Sequence, residues 1–523
     1  MPHYFTEGFR VNKQIIRRRM ASRKRRLARR LDKFNFPPLD GPVLRATNLH
    51  YELAERSVGT VHGGIGLVHQ LVREIGLAEE IDRRLHLFKF HLPYHESDHV
   101  LNLAYNALCA GTCLQDLELR RQDEAYLNAL GAERIPDPTT AGDFCRRFRR
   151  EDLKDLQAAI DAARRKVWAR QSPAFFAEAV IEADGTVVGT TGECKQGMDL
   201  SYKGVWGYHP LVVTLANTGE TLRLINRSGN RPSHEGAAEQ FDECITMCQQ
   251  AGFRKILLRG DTDFSQFKHL DRWHEQGVKF VFGVDCTSAR HILADDLPDS
   301  AWKTLKRPRR YEVKTKSRPK PRRVKQQIVE ERGYKDIRQT CEVVAEMPYR
   351  PGGCKHTYRL IVLRKELEVH EPREQRLFDD YRYFFYITNE GENTPEEVVF
   401  SGNDRCNQEN VVAQLNSVRA LHAPVDNLLS NEAYMLSVSL AWNLKAWLAL
   451  RLPETAGRWS EKHRAQKLKL LKMEFRTFVN TWMRIPCQVV KTGRRLICRL
   501  LAWNEWQDVF FRLAEQLSGP LRC

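Results

Sequence analysis

Acidic residues are in short supply in this chain. Asp and Glu number 66 against 83 Lys and Arg, a net charge of +17 over 523 residues. Such a balance favours a polyanionic partner, nucleic acid before an anionic membrane. Missing too is any Cys-x-x-Cys pair: the 13 cysteines are scattered and odd in number. That excludes a zinc ribbon and points to a reduced, cytoplasmic protein. Cys109/Cys113 and Cys244/Cys248 stand four apart on expected helices and read as packing residues. No apolar leader opens the chain, since Met1–Arg10 is mixed and a cationic stretch follows. Nor is there an unbroken apolar run of membrane length. The nearest, Ala433–Leu450, holds Asn443 and Lys445, so a buried or amphipathic helix is expected and no membrane partner. No internal repeat is visible. What is present is the composition of a soluble globular protein, 42% hydrophobic and 28% charged, long enough for roughly two to four domains.

Pattern changes divide the chain. Residues 1–45 form a basic arm, where "KQIIRRRMASRKRRLARRLDK" (13–33) has Asp32 as its only acid. It reads either as a solvated tail or as a phosphate-binding arm that is helical on DNA, with Arg17, Arg18, Arg25 and Arg26 as candidate contacts. Residues 46–172 show apolar spacing of helical period, as in "DHVLNLAYNALCAGTCLQDLEL", and read as a helical DNA-binding domain. From 173 to 286 the pattern becomes strand "AEAVIEADGTVVGT", a hairpin turning at Asn217-Thr218-Gly219, and a helix stopped by Gly252. Strand "KILLRGD", helix "FSQFKHLDRWHEQG" and strand "VKFVFGVD" follow. This predicts an α/β core with a mixed sheet. Residues 287–397 read as a β-rich insertion with basic loops, among them Arg309 and Arg310. Trp302, beside Lys303 and Lys306, reads as a core or surface tryptophan or as a stacking platform for an unpaired base. The core resumes at 398–452, and 453–523 is a C-terminal region with a hairpin near "VVKTGRRLICRL".

Two constellations bear on chemistry. "HESDH" (95–99) matches H-E-x-x-H, but that signature needs both histidines on one formed helix. Pro93 lies just upstream, and Ser97 or Asp98 is the expected cap of a helix starting near His99, which leaves His95 outside it. The second constellation is stronger. "VIEAD" and "ILLRGD" are apolar runs ending on Asp184 and Asp261, each next to a glycine, Gly185 and Gly260. Carboxylates at neighbouring strand ends repel unless a divalent cation neutralises them, and Mg²⁺ suits hard oxygen ligands. Glu182 reads as a partly exposed salt bridge on the same strand face. Asp263, with Gln266 three residues on, reads as a helix cap. In "NDRCNQENVVAQLNS" Arg405 and Glu409 share a helix face, which an exposed ion pair also explains. Glu432 and Glu396 are competing acids without supporting context.

Taken in order, "IEADGT", "GYHPL", "LLRGDTDF" and "RCNQEN" resemble bacterial insertion-sequence transposases of the DDE type, group 1 branch. The upstream "HESDHVLNLAYNALCAGTCLQDLE" and "IPDPTTAGDFCRRF" carry the same resemblance, which spans roughly residues 60–510. It implies a ribonuclease-H-like core interrupted by a β-strand insertion, with Asp184, Asp261 and Glu409 as catalytic metal ligands. The intervals agree: 261 − 184 = 77 holds two strands and a helix, while 409 − 261 = 148 needs an inserted segment. Further implications are two Mg²⁺ ions (Mn²⁺ able to substitute), phosphoryl transfer on transposon ends and target DNA, and at least a homodimer. The setting implied is the bacterial nucleoid, and Arg405 becomes a candidate phosphate contact. The chain departs from wider relatives at Gly402 and Asn416, where a Tyr and a Lys are usual. A non-catalytic DNA-binding protein and a structure-specific nuclease with the same core are the rival readings.

Overall fold

The computed structural model describes residues 13–32, 58–91, 93–307, 328, 331–332, 336–370, 380–404, 406–454, 457–492 and 495–517. Arg309, Arg310 and Arg405 lie outside them. At the centre is a nine-stranded sheet. Its strands are β1 (Glu178–Gly185), β2 (Leu211–Leu215), β3 (Glu220–Ile225), β4 (Lys255–Gly260), β5 (Lys279–Val284), β6 (Lys303–Thr304), β7 (Asp336–Tyr349), β8 (Tyr358–His370) and β9 (Asp380–Thr388). Six helices matter below: α1 (Lys13–Leu31), α2 (Glu96–Leu108), α3 (Arg150–Trp168), α4 (Ala237–Ala251), α5 (Cys406–Ser417) and α6 (Leu428–Leu450).

The first five strands lie in the order β3-β2-β1-β4-β5. β1, β4 and β5 run parallel, while β2 opposes both β1 and β3. This is the ribonuclease-H-like mixed sheet that the resemblance implies. The parallel strands need crossovers; α4, stopped by Gly252 at φ +102, packs on β1 and β4. Every residue of β2 is buried, so "LVVTL" is continuously apolar with a single threonine, as a strand covered on both faces must be. The β2–β3 turn closes on Gly219 at φ +73, a left-handed position that glycine adopts without a Cβ penalty.

The segment expected as a β-rich insertion supplies β6–β9. It joins the central sheet edge to edge, Phe385–Thr388 pairing with Val281–Val284 of β5. In the C-terminal region the expected hairpin is Cys487–Thr492 with Arg495–Leu500, and its first strand pairs with Gly59–Thr60. α1 is helical, with Arg17, Arg18, Arg25 and Arg26 exposed. Arg23 Nη1 donates to the Leu500 carbonyl at 2.7 Å, and Lys24 lies 5.7 Å from the Trp503 ring centre.

α6 runs along edge strand β3 and is buried over nearly its whole length. Its polar residues are what hold it there. Asn443 Oδ1 accepts from Thr221 N at 2.9 Å and its Nδ2 donates to Thr221 O at 3.1 Å, a side-chain mimic of the next strand that covers the sheet edge. Lys445 donates to the Leu471 carbonyl at 2.7 Å with its ammonium 3.8 Å from the Trp442 ring centre. Beneath α6, Glu220 of β3 accepts from Trp447 Nε1 (2.7 Å), Trp168 Nε1 (3.0 Å), Arg164 Nε (3.2 Å) and the Thr218 hydroxyl (2.7 Å). One buried carboxylate thus joins β3, α3 and α6. Among the described residues no helix is long and apolar enough to cross a membrane.

Two local expectations are corrected. "FSQFKHLDRWHEQG" is not one helix but two 3₁₀ turns, Thr262–Phe264 and Phe267–His269, followed by a short helix, Leu270–Glu275. The cause is packing: Phe264 folds back over Gly260, where a Cβ would stand 2.6 Å from its own. In "HESDH" the helix starts at Glu96, with His95 as N-cap and Asp98 accepting the His95 N–H at 2.9 Å. His95 lies outside the helix as expected. His99 is buried and stacks on Phe144 at 4.5 Å between ring centres, so the pair does not present a zinc-protease face.

Candidate active site

Asp184 is the penultimate residue of β1, and Asp261 follows directly on β4. The two strands pair in parallel from Glu178↔Lys255 to Glu182↔Arg259, a constant offset of 255 − 178 = 77. The aspartates share that offset, so they stand level at the carboxyl end of adjacent strands. Both are half-buried. Two positions earlier on the same face, Glu182 and Arg259 form a buried ion pair at 2.6 Å. The expected salt bridge of Glu182 is there, but fully enclosed. Arg259 also donates to the Ser401 carbonyl at 2.9 Å, which ties β4 to the helix Pro395–Asp404.

α5 is docked over this face. Glu182 lines a cavity of about 380 Å³ together with Asn410, Val411 and Gln414 of α5. Side chains alternate along a strand, so Asp184 shares the Glu182 side of the sheet. The mooring residue is Gln408, which is fully buried. Its Nε2 donates to Val212 O at 3.1 Å, and its Oε1 accepts the Thr214 hydroxyl. Val212 is the register partner of Asp184. Glu409, next in sequence to Gln408, is exposed. Among the described residues the three acids do not all come within 4.8 Å of one another.

The turn around Asp261 is closely built. Its carboxylate accepts from Asp263 N at 3.1 Å, so Asp261 itself caps the 3₁₀ turn and Asp263 does not cap a following α-helix. Gly283 of β5 lets this turn pass, since a Cβ there would meet Thr262 N at 3.0 Å. The space beside Gly185 and Gly260 is likewise taken up by protein. A Cβ on Gly185 would stand 2.9 Å from His209 Nε2 and 3.1 Å from the Ser233 Cβ. His209 Nδ1 is bonded to the Arg231 carbonyl at 2.6 Å, and burial lowers its pKa. Behind it, Arg227 donates to the carbonyls of His209, Pro232, Ser233 and Glu235. Burial lowers its pKa to about 10. Arg227 braces the loop beside Asp184. Neither Arg227 nor Gln408 stood out in the sequence; the only signal was a polar residue at a position that packing makes buried.

The remaining candidates fall in different places. Glu432 is buried, accepts from Asn226 N at 3.1 Å, and has its pKa raised by burial to about 7. It fastens α6 to the end of β3, away from solvent. Glu396 lies in the first turn of the helix Pro395–Asp404. Trp302 is half-buried with the Arg364 guanidinium 4.4 Å from its ring centre, so one face is already covered. At Gly402, a Cβ would meet the Tyr386 ring at 2.6 Å. A tyrosine from β9 occupies the room that a side chain at 402 would need. Asn416 lies in the last turn of α5.

The mixed sheet thus carries two level aspartates at its carboxyl edge, with α5 docked on the same face. Residues 57–520 match the family described as Transposase DDE domain group 1, and the chain belongs to that family. No curated protein matches it. Among solved structures it is similar to the piggyBac transposase synaptic complex with hairpin DNA. That likeness has 10% identity and a TM-score of 0.34, over 90% of this chain and 88% of the other.

Proposed function

We propose that this DNA transposase binds the terminal inverted repeats of its element, cuts DNA strands there and joins the freed ends to target DNA. Asp184, Asp261 and Glu409 would hold the divalent ions, Mg²⁺ or in its place Mn²⁺, since three carboxylates are a hard-oxygen donor set. A bound pair of such ions supplies charge that stabilises the attacking and leaving oxygens of an in-line displacement at phosphorus. In the first step a water oxygen replaces the 3′-oxygen on phosphorus and frees a 3′-hydroxyl. In the second that hydroxyl displaces a 3′-oxygen of target DNA, forming one phosphodiester as another breaks. No protein nucleophile is required. Arg17, Arg18, Arg25 and Arg26, with Arg309, Arg310 and Arg405, would meet phosphates. Trp302 would stack on an unpaired base after Arg364 moves aside. Two copies acting on two ends form a homodimer, working at the nucleoid of a bacterial cytoplasm.

The observation carrying this reading is the shared 77-residue offset that sets Asp184 and Asp261 level on paired strands, with Glu409 moored through Gln408 to the strand beside them. The test uses labelled terminal repeats and a target plasmid with Mg²⁺. Asp184→Ala, Asp261→Ala and Glu409→Ala should each abolish cleavage while end binding persists. Cleavage surviving in all three sinks the assignment of the acids. Cut ends that are never joined identify a nuclease instead.

A further inference from the structure

Away from the three acids, the link into α2 gathers His91, His95 and Glu96, whose ligand atoms all lie within 4.8 Å of one another. Glu96 is wholly buried, an unusual place for a carboxylate at a helix start. Its Oε1 is used by two backbone amides, Leu87 N at 2.9 Å and Phe88 N at 3.0 Å, which fix its orientation. Oε2 is bonded to His91 Nε2 at 2.9 Å. His91 and His95 are both exposed, and their rings stack at 4.4 Å between centres. Two exposed imidazoles therefore lie against one buried, oriented carboxylate, and a turn of the exposed rings out of their stack lets their nitrogens converge with it.

The electrostatics suit a cation. The positive end of α2 would oppose one, but its second amide is already taken up by a carboxylate: Ser97 N donates to Asp82 Oδ1 at 2.8 Å, and the Ser97 hydroxyl donates to Asp82 Oδ2 at 2.9 Å. Asp98 adds a further carboxylate, on the His95 amide. Two nitrogens and one oxygen make a borderline donor set that selects Zn²⁺, with Co²⁺ and Ni²⁺ as substitutes, over Mg²⁺ or Ca²⁺. We propose that His91, His95 and Glu96 form a zinc site, with water completing the coordination. It is separate from the carboxylate site, and it ties His91 to the first turn of α2. The H-E-x-x-H match is incidental to it, because His91 is the second imidazole and His99 is stacked in the core.

Tag-free full-length protein, stripped by chelator and dialysed, should bind one equivalent of Zn²⁺ in competition with a chromophoric chelator, and Co²⁺ should give a tetrahedral visible spectrum. His91→Ala and His95→Ala change exposed side chains, so each should stay folded and weaken binding at least about tenfold. Zn²⁺ should raise the melting temperature of the parent protein and not of those variants. Glu96→Gln should lose binding as well, but it disturbs a buried anchor and is secondary. An Asp184→Asn, Asp261→Asn double variant should retain the zinc, which separates this site from the transposition chemistry. Absence of stoichiometric binding at micromolar Zn²⁺, or undiminished binding by both histidine variants, overturns the proposal. It would leave a plain Glu–His hydrogen bond.

Discussion

Gln408 and Glu409 are neighbours with opposite fates: one is fully buried with both amide ends bonded, the other exposed. Cutting the tether should act on the acid without touching it. Gln408→Ala leaves the Thr214 hydroxyl without its acceptor and the Val212 carbonyl without its side-chain donor, and frees α5 to shift. A displacement near 1 Å costs on the order of a hundredfold in rate, so cleavage of labelled ends should fall by about that factor with end affinity unchanged. A fall in affinity of the same size would place Gln408 in DNA binding instead. Glu432 gives a pH signature. Its folded pKa, raised to about 7 from 4.5, means the native state keeps a proton that the unfolded chain releases. Stability is therefore lost as pH rises from 4.5 to 7, and the loss is complete above 7. Glu432→Gln retains the acceptor for Asn226 N and removes the titration. Unfolding free energies from urea titration should match the parent near pH 4.5 and exceed it at pH 8, by about 3 kcal/mol at most. Equal differences at both values would mean the carboxyl titrates normally.

Elements are joined here through buried polar groups as much as through apolar contact. α6 is the clearest case. Its sequence was legible as a helix too polar to span a membrane, but not as the cover of a sheet edge. The reason is that Asn443 and Lys445 look like interruptions until Thr221 and Leu471 are placed opposite them. The same holds for Glu220, an unremarked residue after a turn that proves to join two helices and a strand. Glu220→Ala leaves two buried indole N–H groups and Arg164 Nε without an acceptor, while Arg164 keeps Asp161 and the Thr221 carbonyl. Each buried donor left unmet costs about 1–3 kcal/mol, and the unfolding free energy from chemical denaturation should drop accordingly. A change below about 1 kcal/mol would show that water replaces the network. Turns were harder to foresee than strands. The tight 3₁₀ geometry after Asp261 follows from Phe264 meeting Gly260, a contact with no local periodicity to announce it.

Across the whole molecule, charge and architecture separate. The net +17 is a statement about partners, and α1 displays part of it on an exposed helix. Replacing Arg17, Arg18, Arg25 and Arg26 by Ala should weaken end binding at low salt. It should also reduce the slope of log affinity against log salt by about 0.9 for each arginine that meets a phosphate. An unchanged slope would make α1 a docking element for the 500–503 corner alone. The strand-end aspartates, the hairpin at Gly219 and the strands Tyr358–His370 and Asp380–Thr388 could all be read in advance, because alternation, turn residues and apolar runs are local. Local pattern does not say which strands become neighbours. The sequence by itself determined which residues form strands and that two of them end in acid. Tertiary structure alone decided that those ends lie level, that the inserted strands extend the same sheet, and that a buried glutamine brings α5 to them. Register and docking depend on contacts across hundreds of residues, and only packing in three dimensions selects among them.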